Sequence, residues 1–156
     1  MTANVALKDL PEWNLADLYA SPDAASFKTD MEKSVSDAAK FAMSYGGKLA
    51  TLSGAELAKA ISDYEQISEV LGRTGSYAQL YYVGDTTKSD RAKFYGDVNN
   101  KITEISTQLL FFELELNQID EEKLRQLFRS TLAEKPAEHL FRNNYQPQRV
   151  MTAIGG

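Results

Sequence analysis

The sequence predicts an all-α fold, an elongated up-down bundle of three long antiparallel helices with a shorter fourth and an irregular tail. Three observations carry this. Apolar residues recur at spacings of three and four over three long segments. Glycine pairs and capping residues separate those segments. No apolar–polar alternation of the kind a half-buried strand shows survives beside these helical stripes; the run Phe112 to Asn117 falls within the third of them.

Residues 1–22 read as an N-terminal segment. Pro11 biases Leu10 away from helix. Asn14 caps a short helical piece carrying Leu15 and Leu18, with Asp17 at the acidic position of a cap-like box, and Ser21-Pro22-Asp23 ends it. The first long helix is expected over about 23–45. Its stripe is Ala24, Phe27, Met31, Val35, Ala38, Ala42 and Tyr45, and Gly46-Gly47 stops it by reaching the left-handed conformation cheaply.

The second helix is expected over about 53–84. Ser53 and Glu56 have capping-box spacing, with Leu52 and Leu57 placed as a hydrophobic staple. Leu57, Ile61, Tyr64, Ile67, Leu71, Ala78 and Tyr81 form its stripe. Gly72 and Gly75 each cost about 1 kcal/mol against alanine, which a close helix crossing offsets; a kink is the other reading. Gly84-Asp85-Thr86-Thr87 makes the turn. The third helix, about 89–117, has the cleanest stripe: Phe94, Val98, Ile102, Ile105, Leu109, Phe112 and Leu116. Asp120 then caps a fourth helix running to about Glu134, with Glu121 and Glu122 in its first turn. These helices form one helical lobe over 23–134, and 135–156 reads as an irregular tail.

Composition excludes most catalytic classes. The 156 residues include no cysteine and one histidine, His139. Thiol nucleophiles, thiolate zinc sites and two-histidine metal sites therefore have no residues to build them. With 17 basic against 22 acidic side chains, no basic excess exists to hold nucleic acid. The longest apolar cluster, Leu109 to Phe112, is far short of the roughly 20 residues of a membrane helix. A cytoplasmic location without membrane or nucleic-acid partners is expected.

Each chemical candidate has a plainer reading. Glu113 and Glu115, two apart on a helix, cannot face each other and read as solvated charges. His139, in the least regular segment, reads as a surface histidine. Tyr77, Tyr81 and Tyr82 line a peptide groove or pack in the core, and helical spacing favours the core. Gly72-Arg73-Thr74-Gly75 lacks the glycines and lysine of a phosphate loop. No residue is assigned a catalytic or metal role.

Four separated segments together show a resemblance. Leu10-Pro11-Glu12-Trp13-Asn14-Leu15-Ala16-Asp17-Leu18-Tyr19 resembles the opening of oligoendopeptidase F, a bacterial zinc peptidase of the thimet oligopeptidase superfamily. Lys48-Leu49-Ala50 is similar to the family, as is Leu71-Gly72-Arg73-Thr74-Gly75-Ser76-Tyr77-Ala78 followed by Asp85-Thr86. The strongest match is Ile105 to Asn117. Together they cover about residues 7–127. The resemblance implies a helical N-terminal lobe walling one side of a peptide cleft. It also implies a zinc held elsewhere by a His-Glu-x-x-His helix and a later glutamate. None of those positions lies in this sequence, so the chain alone is expected to be inactive and to have no cofactor. From Phe128 the sequence departs from the family, and Gln146 to Met151 looks foreign to it, as a truncated or frame-shifted reading produces. The competing expectation is a free-standing helical interaction or regulatory module.

A last expectation concerns partners. The third helix carries Leu110, Phe111 and Leu114 away from its main stripe, and the second offers Tyr77 and Tyr82. Leaving about 400 Å² of such surface in water forgoes about 10 kcal/mol at about 25 cal/mol per Å². Self-association as a two-fold dimer, or cover by a catalytic lobe that would itself bind the peptides, is therefore expected, with the fourth helix as a competitor for the same patch.

Overall fold

In the computed structural model, described here for residues 14–132, the chain is all-α. A short 3-10 turn, Leu15–Asp17, leads into α1, Ala25–Tyr45. A second 3-10 turn, Leu49–Thr51, precedes α2, Gly54–Val83. Then come α3, Ser89–Gln118, and α4, Glu121–Leu132. No strand occurs among the described residues. The expected tail over 135–156, the first 13 residues and the end of the fourth helix beyond Leu132 lie outside them.

The punctuation acts where the sequence places it. The Asn14 carboxamide oxygen accepts from the Ala16 amide at 3.0 Å. Ser53 Oγ accepts from the Glu56 amide at 3.2 Å, and the Glu56 carboxylate accepts from the Ser53 amide at 2.8 Å, completing the capping box. The Ser53 backbone amide first, and the Ser53 side chain second, hold the Glu56 carboxyl below its usual range. Gly47 takes φ of 73°, the left-handed conformation that glycine adopts without a Cβ penalty. Asp85 Oδ1 accepts from the amide and the hydroxyl of Thr87 in the turn before α3. Asp120 Oδ1 accepts from the Glu122 amide at 2.7 Å and starts α4.

Packing follows the stripes. α2 touches both α1 and α3, α1 touches α3, and α4 packs on α2. Contacts run in opposite order along α1 and α2: Tyr45 meets Asp63, Asp30 meets Arg73, and Phe27 meets Tyr77. They do so again along α2 and α3, where Tyr64 meets Phe112 and Tyr81 meets Phe94. Gly75 lies at a close crossing, where a Cβ would come within 3.1 Å of Ile102 Cδ1. The same expectation is corrected for Gly72, where a Cβ would meet open space.

The core forms two clusters. The larger joins Phe41, Leu57, Tyr64, Ile105, Phe112 and Leu124, among others; the smaller joins Tyr19, Phe27, Tyr77, Ala78 and Val98. Met31 and Ile102 pack against both. The α1 stripe is wider than spacing alone indicates. Phe41 is buried and Ala42 only half-buried, and Ser34 is buried with its hydroxyl donating to the Asp30 carbonyl at 2.8 Å. Residues 31, 34, 35, 38, 41, 42 and 45 all lie on the covered side because α1 touches two helices, not one.

Candidate functional site

The residues expected at an interface separate into two groups. Leu110 and Leu114 are 52% and 55% exposed on the outer side of α3. They are the part of the expected face that stands open. For Tyr77 the interface expectation is corrected in favour of the core reading that its spacing favours: it is buried in the smaller core cluster, in ring contact with Tyr19, Phe27 and Phe94. Phe111 is half-buried and packs on the larger core, its ring 5.7 Å from Phe41. A charge at Phe111 would therefore disturb the core rather than report on an interface. Tyr82 is half-buried and stacks on Tyr95 at 5.3 Å. The cause is common to all three. Each lies in a seam between packed elements: Phe111 between α3 and α1, Tyr82 between α2 and α3, and Tyr77 where α2 meets both α1 and α3.

α4 does not compete for the open patch. It packs on α2, with Leu124 fully buried in the core. Leu110 and Leu114 stay exposed beside it.

Three polar clusters tie distant elements together, and spacing along one helix points to none of them. Tyr19 Oη donates to Asp30 Oδ2 at 2.6 Å. Arg73 donates from Nε to Tyr19 Oη at 3.1 Å and from Nη2 to Asp30 Oδ2 at 2.8 Å. This triangle locks the N-terminal turn to α1 and α2. Glu115 of α3 accepts from the Gly47 amide at 2.5 Å and the Leu49 amide at 3.3 Å, closing the α1–α2 connection. Glu113 accepts from Tyr64 Oη at 3.0 Å. The expectation that Glu113 and Glu115 are merely solvated is therefore corrected. Each serves a neighbouring element instead of the other.

A groove of about 700 Å³ lies beside the first cluster, between residues 14–22 and the C-terminal end of α2. Tyr19, Tyr77, Tyr81 and Arg91 line it. Arg91 is already engaged there. Its guanidinium sits 4.4 Å from the Tyr81 ring centroid and donates to the Tyr81 carbonyl at 2.9 Å. No group of three or more metal-ligating side chains gathers among the described residues, and no described helix is long and apolar enough to cross a membrane. His139 lies outside those residues.

Burial raises the Tyr19 phenol above its usual range, and its bond to the Asp30 carboxylate raises it further against the pull of Arg73. Tyr45 is raised likewise, by burial first and then by Asp63, to which it donates at 2.9 Å. Folding therefore favours both protonated phenols. Their contribution is complete below pH about 10 and is lost as pH rises through the folded values. The urea midpoint should hold steady up to about pH 9.5 and fall above about pH 10. In the Tyr19→Phe, Tyr45→Phe double variant that fall should be shallower, and an unchanged slope would refute the assignment.

No family model, curated protein or solved structure matches this chain.

Proposed function

We propose that this chain is the N-terminal helical lobe of an oligoendopeptidase F-like zinc metallopeptidase. On this reading it is a cytoplasmic, non-catalytic wall of a peptide cleft, built as an elongated up-down bundle of three long antiparallel helices and a shorter fourth. The opposed order of the α1–α2 and α2–α3 contacts supports that arrangement. At about 1.5 Å per residue, the 30 residues of α2 or α3 span about 45 Å.

One observation carries the reading. The four segments that resemble the family pair off in space. Tyr19, at the end of the first, is bonded by Arg73 of the third. Leu49, in the second, is bonded by Glu115 of the fourth. The four segments thus belong to one packed unit, as a single lobe requires.

The family's zinc does not fit the donors of this chain, which has one histidine and no cysteine. No step of peptide hydrolysis is therefore assigned to its residues. Catalysis and peptide binding would need a second lobe that carries the metal.

Reading the gene past codon 156 in all frames tests the proposal. The expected result is a His-Glu-x-x-His helix followed by a further glutamate. A stop with no such motif in any frame would overturn it in favour of a free-standing interaction module, the reading that exposed Leu110 and Leu114 favour.

A further inference from the structure

α3 presents an uncharged strip to solvent along most of its length. At about 100° per residue, Ala92, Gly96, Thr103, Leu110 and Leu114 fall within about 40° of one another. The buried residues Val98, Ile105, Leu109 and Phe112 lie on other sides of the helix. Ala92, Thr103, Leu110 and Leu114 are exposed, and a Cβ added at Gly96 would meet open space. The charged residues Lys93, Asp97, Lys101 and Glu104 fall outside the strip. Gly96 is the least expected member of the strip. Glycine weakens a helix interior, yet Gly96 has neither a positive φ nor a neighbour within 4 Å to require it.

The strip is complementary to itself. Laid antiparallel against its own copy about Thr103, it brings its two large side chains level with its two smallest residues. Leu110, seven residues after Thr103, faces Gly96, seven before it. Leu114, eleven after, faces Ala92, eleven before. Thr103 faces Thr103. Leucines opposite glycine and alanine are the knobs and hollows that let two helices approach closely. The Thr103 hydroxyl already donates to the Asn99 carbonyl at 2.9 Å, so covering it strands no donor.

We propose that a second copy of this chain docks on this strip, α3 against α3, antiparallel across a two-fold axis at Thr103. Charge favours this place on the surface. Two chains of net charge −5 repel, and a face without charges lets them meet with no like charges opposed and no ion buried unpaired. Size sets the strength. From Ala92 to Leu114 the strip is about 33 Å long and about 10 Å wide, a footprint well under the roughly 800 Å² per partner of a standard interface. The dimer is therefore weak and concentration-dependent. This inference does not rest on the proposed peptidase relationship, which the gene sequence tests separately.

The absence of cysteine provides a direct test with the full chain. Helices about 8 Å apart bring facing Cα atoms within the 4.4–6.8 Å reach of a disulfide. Under mild oxidation at high protein concentration, Thr103→Cys should give a covalent dimer. Met43→Cys, 80% exposed on α1, should give at least tenfold less. Adding Gly96→Leu to Thr103→Cys fills the hollow and should cut cross-linking at least tenfold. Helicity should hold or rise, since leucine is the better helix former. Sedimentation of the unmodified chain should show reversible growth toward dimer mass as concentration rises. Equal cross-linking at Met43 and Thr103, no effect of Gly96→Leu, or a monomer at every concentration would each overturn the proposal.

Discussion

Phe112→Ala should destabilise the chain by about 3–5 kcal/mol, the usual cost of emptying a buried aromatic site. Phe112 is buried at the centre of the larger core. Its ring stacks on Tyr64 at 4.6 Å and meets Phe41 edge-on at 5.3 Å. Truncation removes both ring contacts and leaves a cavity between α1, α2 and α3 that none of them can close alone. Against a total stability of about 5–15 kcal/mol, that is a loss of about a fifth or more. Urea unfolding followed by circular dichroism measures it. A change under about 1 kcal/mol would mean the three helices do not share this core.

The second large effect is local. Leu124 is the fully buried side chain that α4 contributes to the core. α4 has 12 residues, at the lower edge of the length at which an isolated helix holds in water. Leu124→Ala should cost about 2–5 kcal/mol and should release α4 before the rest unfolds. The Lys123 ammonium, which donates to the Ala50 carbonyl, and the Arg125–Glu121 pair at 2.8 Å are exposed or half-exposed contacts, too weak to hold the helix by themselves. Hydrogen exchange by mass spectrometry reads this directly. Amides of 121–132 should lose protection while those of α2 and α3 keep theirs. Retained protection in α4 would show that other contacts anchor it.

These two residues were legible in the sequence for the same reason. Both sit on stripes of period 3.6. The capping box at Ser53, the glycine stop at Gly47 and the Asp120 cap were legible because a cap is a contact between near neighbours in sequence. The burial of Tyr77 was favoured by its helical spacing, but the half-burial of Phe111 was not legible. A helical wheel shows angles, and whether a flanking angle is covered depends on how many neighbours the helix acquires. α1 acquires two, so Phe41 is core although it lies off the stripe drawn for one. Glu113, Glu115 and Arg73 were illegible for a different reason. Their partners, Tyr64, Leu49 and Tyr19, are 49, 66 and 54 residues away, and no spacing rule spans such distances. The open strip on α3 was half legible. Leu110 and Leu114 stood out as apolar, but their match to Gly96 and Ala92 requires knowing that the whole strip faces water.

The intact mass of the natural gene product tests the central claim most directly. If this chain is the lobe of a peptidase, the product carries a second, zinc-binding part, and its mass should far exceed the 17.4 kDa of these 156 residues. Peptides from a His-Glu-x-x-His helix should then appear in its digest. A native product of 17.4 kDa would contradict the account and leave a free-standing helical module.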